Sequence, residues 1–127
     1  MRIKMKTLIP SFAVLAMIGG GVAYAQDATR GQKLFDECAA CHSPDPAAKD
    51  TVGPALHGVI GRKAGDGAEF RYSPAMKRSG ITWNADTLNN FIADPQKIVP
   101  GNRMPYSGLP TAKDRADLIA YLQATMK

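Results

Sequence analysis

The sequence predicts a small all-α domain of about four helices joined by long loops. Apolar residues recur at helical spacing in several separate stretches, whereas no stretch alternates apolar and polar residues as a strand would. Glycine and proline are frequent, with 12 and 9 of the 127 residues, and many lie in two irregular stretches. These stretches therefore separate the helices.

The first 25 residues are predicted to be a secretory signal peptide. A basic start (1–6) precedes an apolar stretch (7–22), and Ala23-Tyr24-Ala25 provides small residues beside a cleavage site. The apolar stretch contains Pro10 and is shorter than the about 20 residues that span a bilayer. We expect cleavage after Ala25, a periplasmic mature protein, and no stable membrane insertion. An uncleaved leader would instead tether the protein to the membrane.

The charge of the remaining chain is nearly balanced. The net charge of +5 includes Arg2, Lys4 and Lys6, and without them 13 basic residues face 11 acidic ones. Since no basic run or mixture of basic and aromatic residues stands out, the sequence does not predict nucleic-acid binding. Residues 26–127 suffice for one domain with a modest core, to which a bound cofactor would add apolar surface.

The first helix is predicted to begin near Asp27 or Thr29, either of which can cap it, and to run toward Cys41. Residues 43–72 are rich in Gly, Pro, Asp and Ala and show no period, so we expect a long loop. Loops of this length in compact domains usually serve a site or lie against a cofactor.

Two further helices have recognisable ends. Ser73 and Pro74 can open a short helix, which Gly80 would end. Asn84 is a suitable N-cap for the next helix, which Pro95 should terminate.

The last helix follows a second irregular stretch, residues 95–110. Thr111 is its expected N-cap. Its apolar face is predicted to consist of Leu118, Ile119, Tyr121 and Leu122.

The chain's two cysteines lie in Cys38-Ala39-Ala40-Cys41-His42, the pattern of covalent c-type haem attachment. Two thiols at this spacing lie on nearly one side of a helical turn, where each can add to one vinyl group of the porphyrin. His42 would then lie under the iron as its fifth ligand. The pattern predicts one haem c, bound through Cys38 and Cys41.

Other uses of these cysteines fit the sequence less well. A redox-active dithiol or a local disulfide would not require His42 directly after Cys41. A thioredoxin-like fold would show a βαβ pattern, which is lacking. Zinc would need further ligands, and His57 is the only other histidine.

Met104 is the predicted sixth ligand. It lies in Pro100-Gly101-Asn102-Arg103-Met104-Pro105, where the prolines limit the loop's freedom, and a polar loop is a poor place for a core methionine. Met76 falls in a predicted helix and Met126 at a terminus expected to fray. His57, the rival ligand, follows the His42 side of the chain closely and is expected to be a surface residue.

With both ligands assigned, the chain resembles the class I c-type cytochromes, and most closely the mitochondrial-type cytochrome c found in alphaproteobacteria. The resemblance covers essentially all of residues 26–127. It rests on the haem motif and five further segments: Val52-Gly53-Pro54-Ala55-Leu56-His57-Gly58, Gly61-Arg62-Lys63, Gly80-Ile81-Thr82-Trp83, Pro100-Gly101-Asn102-Arg103-Met104 and Leu118-Ile119-Ala120-Tyr121-Leu122.

The resemblance implies roles around the porphyrin. The carbonyl of Pro54 would accept a hydrogen bond from the His42 ring, which fixes the ligand's orientation and basicity. Leu56 would lie against the porphyrin. Near the last helix, Gly31 and Phe35 would meet Leu118 and Tyr121.

The resemblance also implies hydrogen-bond donors for a buried haem propionate, a charge too costly to leave unpaired. Arg62, Tyr72 and Trp83 would supply such donors, and Asn102 would hydrogen-bond the same propionate. For Trp83, ordinary burial in the core is the alternative.

Four positions depart from the family's usual pattern. Met76 replaces an asparagine, and Phe91 replaces a tyrosine that would donate to the Met104 sulfur. Glu37 and Gln96 replace docking lysines, which weakens the steering field. The basic residues left there are Lys97, Arg103 and Lys113.

The resemblance implies a monomeric single-electron carrier and not an enzyme. Its partners would be redox proteins such as a quinol:cytochrome c reductase and a terminal oxidase or periplasmic dehydrogenase. The alternative is a peroxidase-like haem enzyme or gas sensor with an open sixth site.

Overall fold

The computed structural model describes residues 25–67 and 69–127, and six helical segments lie within them. No strand occurs in these two ranges, where one isolated antiparallel bridge pairs Lys63 with Thr82. The all-α prediction is confirmed. The segments are α1 (Ala28–Leu34), α2 (Asp36–Ala39), α3 (Pro74–Arg78), α4 (Ala85–Ala93), α5 (Pro95–Ile98) and α6 (Ala112–Thr125).

The predicted signal peptide, apart from Ala25, lies outside the described residues and stays a prediction. In the part of the chain that is described, every helix is too short or too polar to cross a bilayer.

The fold is organised around a close crossing of α1 and α6. Gly31 of α1 is buried in this crossing, and a Cβ atom there would lie 2.0 Å from the carbonyl oxygen of Asp117. The Phe35 and Tyr121 rings pack beside it with centroids 5.4 Å apart. Glycine therefore permits an approach that any larger residue would block, and the first and last helices meet as predicted.

Ion pairs and hydrogen bonds between charged groups stabilise the same crossing. The fully buried carboxylate of Asp117 accepts hydrogen bonds from Lys113 (2.8 Å), Arg30 (2.7 Å) and the backbone N–H of Asp27 (2.9 Å). These contacts lower its pKa to about 2, the Lys113 contact having the largest effect. Arg30 also pairs with Asp114 at 2.6 Å. A buried charge needs such partners, and sequence inspection did not identify Asp117.

Helix α4 packs against α6 and begins at the predicted cap. The Asn84 side chain accepts the N–H of Thr87 at 3.0 Å, and the Thr87 hydroxyl accepts the N–H of Asn84 at 2.9 Å, which forms a capping box. The buried residues of α4 form one core with those of α6: Leu88, Phe91, Ile92, Leu118, Ile119 and Leu122.

Three expectations about the helices need correction. The first helix does not run unbroken to Cys41, since a turn at Phe35 divides it into α1 and α2. Pro95 ends α4 but also opens α5, because proline suits a first helical position and Asp94 accepts the N–H of Lys97. Met126 does not fray but is fully buried.

The remaining helix ends agree with the sequence in part. The hydroxyl of Ser73 caps α3 by accepting the N–H of Met76 at 3.0 Å. Thr111 occupies the N-cap position of α6, but its side chain makes no capping hydrogen bond.

Candidate haem site

All ten residues predicted to bind haem line a single cavity of about 430 Å³, most of whose wall is apolar. The structure brings together groups from α2, the long loop, the stretch before α4 and the loop after α5. Ligand sites of this kind combine an apolar wall with a few placed polar groups. The ten residues are Cys38, Cys41, His42, Pro54, Leu56, Arg62, Tyr72, Trp83, Asn102 and Met104.

The two cysteines reach the cavity from α2 and the turn that follows it. The N–H groups of Cys41 and His42 both donate to the Cys38 carbonyl, at 3.0 and 2.9 Å, so the motif keeps a helical turn. Both thiols are free of a disulfide. Burial, with a further contribution from Glu37, raises the pKa of Cys38 to about 11. This thiol stays protonated at neutral pH, unlike the activated thiolate of a redox-active dithiol.

His42 is held in one orientation. Its Nδ1 lies 2.7 Å from the carbonyl oxygen of Pro54. A carbonyl can only accept, so Nδ1 carries the hydrogen and Nε2 is the nitrogen left with a lone pair for a metal. A Cβ on Gly53 would lie only 2.7 Å from the imidazole Cε1, so the absence of a side chain there makes room for the ring.

Met104 reaches the cavity from a loop that begins with a tight turn. The N–H of Asn102 donates to the Val99 carbonyl at 3.0 Å, with Pro100 and Gly101 at the corner. Gly101 has φ +88°, the value that the third position of a type II turn requires. The turn places Met104, which is partly buried, in the cavity wall.

His57, the rival ligand, does not line this cavity. It is exposed and lies beside a second pocket of about 280 Å³. The expectation of a surface histidine agrees with this position.

Polar donors cluster at one part of the wall. The Arg62 guanidinium donates to the carbonyls of Ala55 (3.3 Å) and His57 (3.4 Å). Burial raises the pKa of Tyr72, and the positive charge of Arg62 partly offsets this. Both side chains line the cavity, and neither the Tyr72 hydroxyl nor the Trp83 indole N–H forms a hydrogen bond with another described residue. Such donors suit a ligand's carboxylate.

The side chain of Asn102 makes hydrogen bonds within its own loop. Its side-chain amide donates to the carbonyls of Pro95 and Val99, both at 2.9 Å, and its Oδ1 accepts the N–H of Met104 at 2.8 Å. Both amide hydrogens therefore have acceptors within the protein. Asn102 also lines the cavity, and its hydrogen bond to a haem propionate stays a prediction.

Two of the residues that depart from the family pattern lie at this site. Met76 and Phe91 are both cavity-lining, and Phe91 packs on Trp83 with ring centroids 5.0 Å apart. At the opening, the Tyr106 hydroxyl lies 3.5 Å from Glu37 Oε2. Burial, followed by the charge of Glu37, raises the pKa of Tyr106.

These observations meet the requirements of a covalent haem. Cys38 and Cys41 can attach it, His42 and Met104 are suitable axial ligands, and a predominantly apolar wall can enclose the porphyrin. Donors without protein partners are present for its carboxylates.

Comparison with known proteins agrees with this chemistry. The family model "Cytochrome c" matches residues 28–126. Cytochrome c2 of Rhodoblastus acidophilus is 51% identical over 98 residues, covering 77% of this chain and 92% of that protein. Cytochrome c2 of Rhodomicrobium vannielii is 41% identical over 119 residues, covering 93% of this chain and 95% of that protein. Cytochrome c of Tetrahymena pyriformis is 52% identical over 99 residues, covering 77% and 88%.

The family model matches most of the chain, and the relatives are this similar over nearly their whole length. Together these matches establish the family. The resemblance inferred from the motifs is confirmed. The chain belongs to the cytochrome c family, whose members carry one covalently attached haem c and transfer electrons rather than catalyse a chemical conversion.

Proposed function

We propose that this protein is a periplasmic one-electron carrier whose haem has His42 and Met104 as axial ligands. The observation that carries the proposal is the convergence of Cys38, Cys41, His42 and Met104 on one apolar cavity. When bound there, the haem supplies one-electron redox chemistry. The chain supports that chemistry by excluding water, orienting His42 through Pro54, and filling the second axial position with a thioether, which raises the reduction potential.

The mass and the visible spectrum of the exported protein test the proposal. We expect one haem per chain and a mass consistent with cleavage after Ala25. Ferric protein should show the weak long-wavelength sulfur-to-iron band, and Met104→Ala should abolish it. Met76→Leu, at another cavity-lining methionine, is the matched control and should keep the band. A colourless protein, or a Met104→Ala variant with an unchanged spectrum, would contradict the proposal.

The proposed partners are a quinol:cytochrome c reductase on one side and a terminal oxidase or periplasmic dehydrogenase on the other. Support comes from the exposed positive charge of Arg103, which lines the cavity, and from the exposed Lys97 of α5. Lys113 is less available, because it pairs with Asp117 at 2.8 Å. Brief docking through a small interface suits a carrier that must leave its partner quickly, and we expect a monomer in size-exclusion chromatography.

Glu37 should weaken the attraction of this opening for anions. Electrostatic steering depends on the charge nearest the site of electron transfer and is screened by salt. We therefore expect Glu37→Lys to speed reduction of ferricyanide, a small anionic oxidant, when the ferrous protein is mixed with it at low ionic strength. Asp86→Lys makes the same charge change on α4, at an exposed residue outside the cavity wall, and should have a smaller effect. Equal rates for the two variants would contradict a local effect of the Glu37 charge on the approach of ferricyanide.

A further inference from the structure

The Asn102 side chain lies inside the loop that carries Met104, with 7% of its surface exposed. Its amide makes three hydrogen bonds of 2.8 to 2.9 Å, to Pro95, Val99 and Met104. The orientation of the amide is determined by its partners, because the two carbonyls can only accept and the Met104 N–H can only donate. A buried amide whose donors are both satisfied is costly to disturb.

These hydrogen bonds connect a short helix with the irregular loop that carries Met104. The accepting carbonyls belong to Pro95, the fully buried first residue of α5, and to Val99, which follows the last residue of α5. Helix α5 packs on α4. The donated N–H belongs to Met104 itself, in a loop without regular structure. The Asn102 backbone adds two contacts, since its N–H donates to Val99 and its carbonyl accepts Gln96 Nε2 at 3.1 Å. The Met104 backbone is therefore fixed relative to a helix.

We propose that Asn102 is a positioning residue for Met104, which keeps the thioether directed at the iron through the hydrogen bonds inside this loop. This inference rests on the proposed function, because Met104 acts as an axial ligand only there. The physical basis is preorganisation: a loop held in the ligating conformation loses little conformational entropy when the bond to iron forms. Without the amide, the loop opens more often and an external ligand competes better for the iron.

Asn102→Ala and Asn84→Ala form a matched pair for the test. Both remove an asparagine side chain that accepts a backbone N–H, and Asn84 caps α4 outside the cavity. The probe is imidazole, titrated into ferric holoprotein. For Asn102→Ala we expect at least a tenfold rise in imidazole affinity and a weaker sulfur-to-iron band. For Asn84→Ala we expect a lower free energy of unfolding, with imidazole affinity and the band both unchanged.

Asn102→Ser keeps the experiment decisive if the alanine variant folds poorly. One hydroxyl can replace a single hydrogen bond of the amide. The imidazole affinity of Asn102→Ser should therefore lie between those of the wild type and Asn102→Ala. If the alanine variant cannot be measured, the affinity of Asn102→Ser should still be clearly above that of the wild type. Variants at Asn102 that match Asn84→Ala in imidazole affinity and band intensity overturn the inference while leaving the proposed function intact. A wild-type protein without the band overturns both.

Discussion

At Gly53, a hydrogen atom in place of a side chain decides whether the imidazole of His42 can take its observed position. An added Cβ would lie 2.7 Å from Cε1 and 2.9 Å from Nδ1, the nitrogen that donates to Pro54. The ring cannot avoid this contact without weakening its hydrogen bond to the Pro54 carbonyl. Gly53, the residue next to Pro54, therefore leaves the space that the His42–Pro54 hydrogen bond requires.

Gly53→Ala should raise the reduction potential. A weaker hydrogen bond to Pro54 makes the imidazole a poorer electron donor, which stabilises ferric iron less. A bond worth about 0.5–1.5 kcal/mol corresponds to roughly 20–60 mV for one electron. Redox titration of the purified holoprotein measures the shift, with Ala47→Ser, an exposed change in the same loop, as the control. A potential equal to the wild type's would show that the ring is not constrained by Gly53.

The sequence predicted the cofactor correctly because the chemistry of its attachment motif is local. The haem motif confines two thiols and an imidazole to five consecutive residues, so its meaning does not depend on the fold. Asp117 was missed because two of its partners, Asp27 and Arg30, lie 90 and 87 residues away. The hydrogen bonds from Asn102 to Pro95 and Val99 were not predicted, because no sequence pattern shows which carbonyls its amide will meet.

At the level of elements, the α1–α6 crossing depends on the absence of a side chain at Gly31. At Gly31 an added methyl group would meet backbone atoms of Asp117 and the Cβ of Tyr121, which lies at 2.9 Å. Backbone atoms cannot rotate away as a flexible side chain can, so the helices must separate. Separation would also disturb the Phe35–Tyr121 ring contact.

Gly31→Ala should lower the free energy of unfolding by about 3 kcal/mol, the upper part of the range for overpacked cores. Denaturant titration of the holoprotein gives the value. Gln32→Ala, at the exposed neighbouring position of α1, should stay within about 0.5 kcal/mol of the wild type. Similar free energies of unfolding for the two variants would show that the α1–α6 crossing tolerates the added methyl group.

Helix starts were more predictable than helix continuity. Asp27, Ser73 and Asn84 each cap the helix expected of them, because a cap is a contact within three residues. The turn at Phe35 was not predicted, because the Phe35 side chain makes no capping hydrogen bond and carries no turn signal. Helix α5 does have a local cap, since Asp94 accepts the N–H of Lys97. The residues of α5 looked irregular because a helix this short shows no period.

For the whole molecule, acid should weaken the attachment of α1 to α6. Asp117 has a pKa of about 2 in the folded protein, below the ordinary value of about 3.9 for an unfolded chain. The stabilisation is thus present above about pH 4 and is lost as the pH falls through 2. Asp117→Asn should be less stable than the wild type at pH 7, by denaturant titration, and the difference should narrow between pH 4 and pH 2.

Asp86→Asn, on the exposed surface of α4, is the control for removing one carboxylate and should show no such narrowing. If the difference between Asp117→Asn and the wild type were the same at pH 2 and pH 7, ionisation of Asp117 would not be the source of the stability.

The haem should contribute to the core of the whole domain. The cavity of about 430 Å³ is bordered by core residues from both ends of the chain, including Phe35 and Leu118. Replacing both Cys38 and Cys41 with alanine, which prevents covalent attachment, should leave a chain with much less helix by far-UV circular dichroism, because a ligand that binds only the folded state stabilises it. Ala39→Ser, within the same motif, should keep the wild-type spectrum. Full helicity in the double variant would refute this.

Because α1 and α6 lie at opposite ends of the described chain yet are in contact, the residues between them form a loop that this contact closes. The free-energy cost of loop closure grows only with the logarithm of loop length, by about 0.6 kcal/mol for each doubling of a flexible segment. The stretch before α3 can therefore gain or lose a few surface residues at little thermodynamic cost. Such changes must preserve the cavity-lining residues. Variation in loop length should therefore concentrate at positions that face solvent.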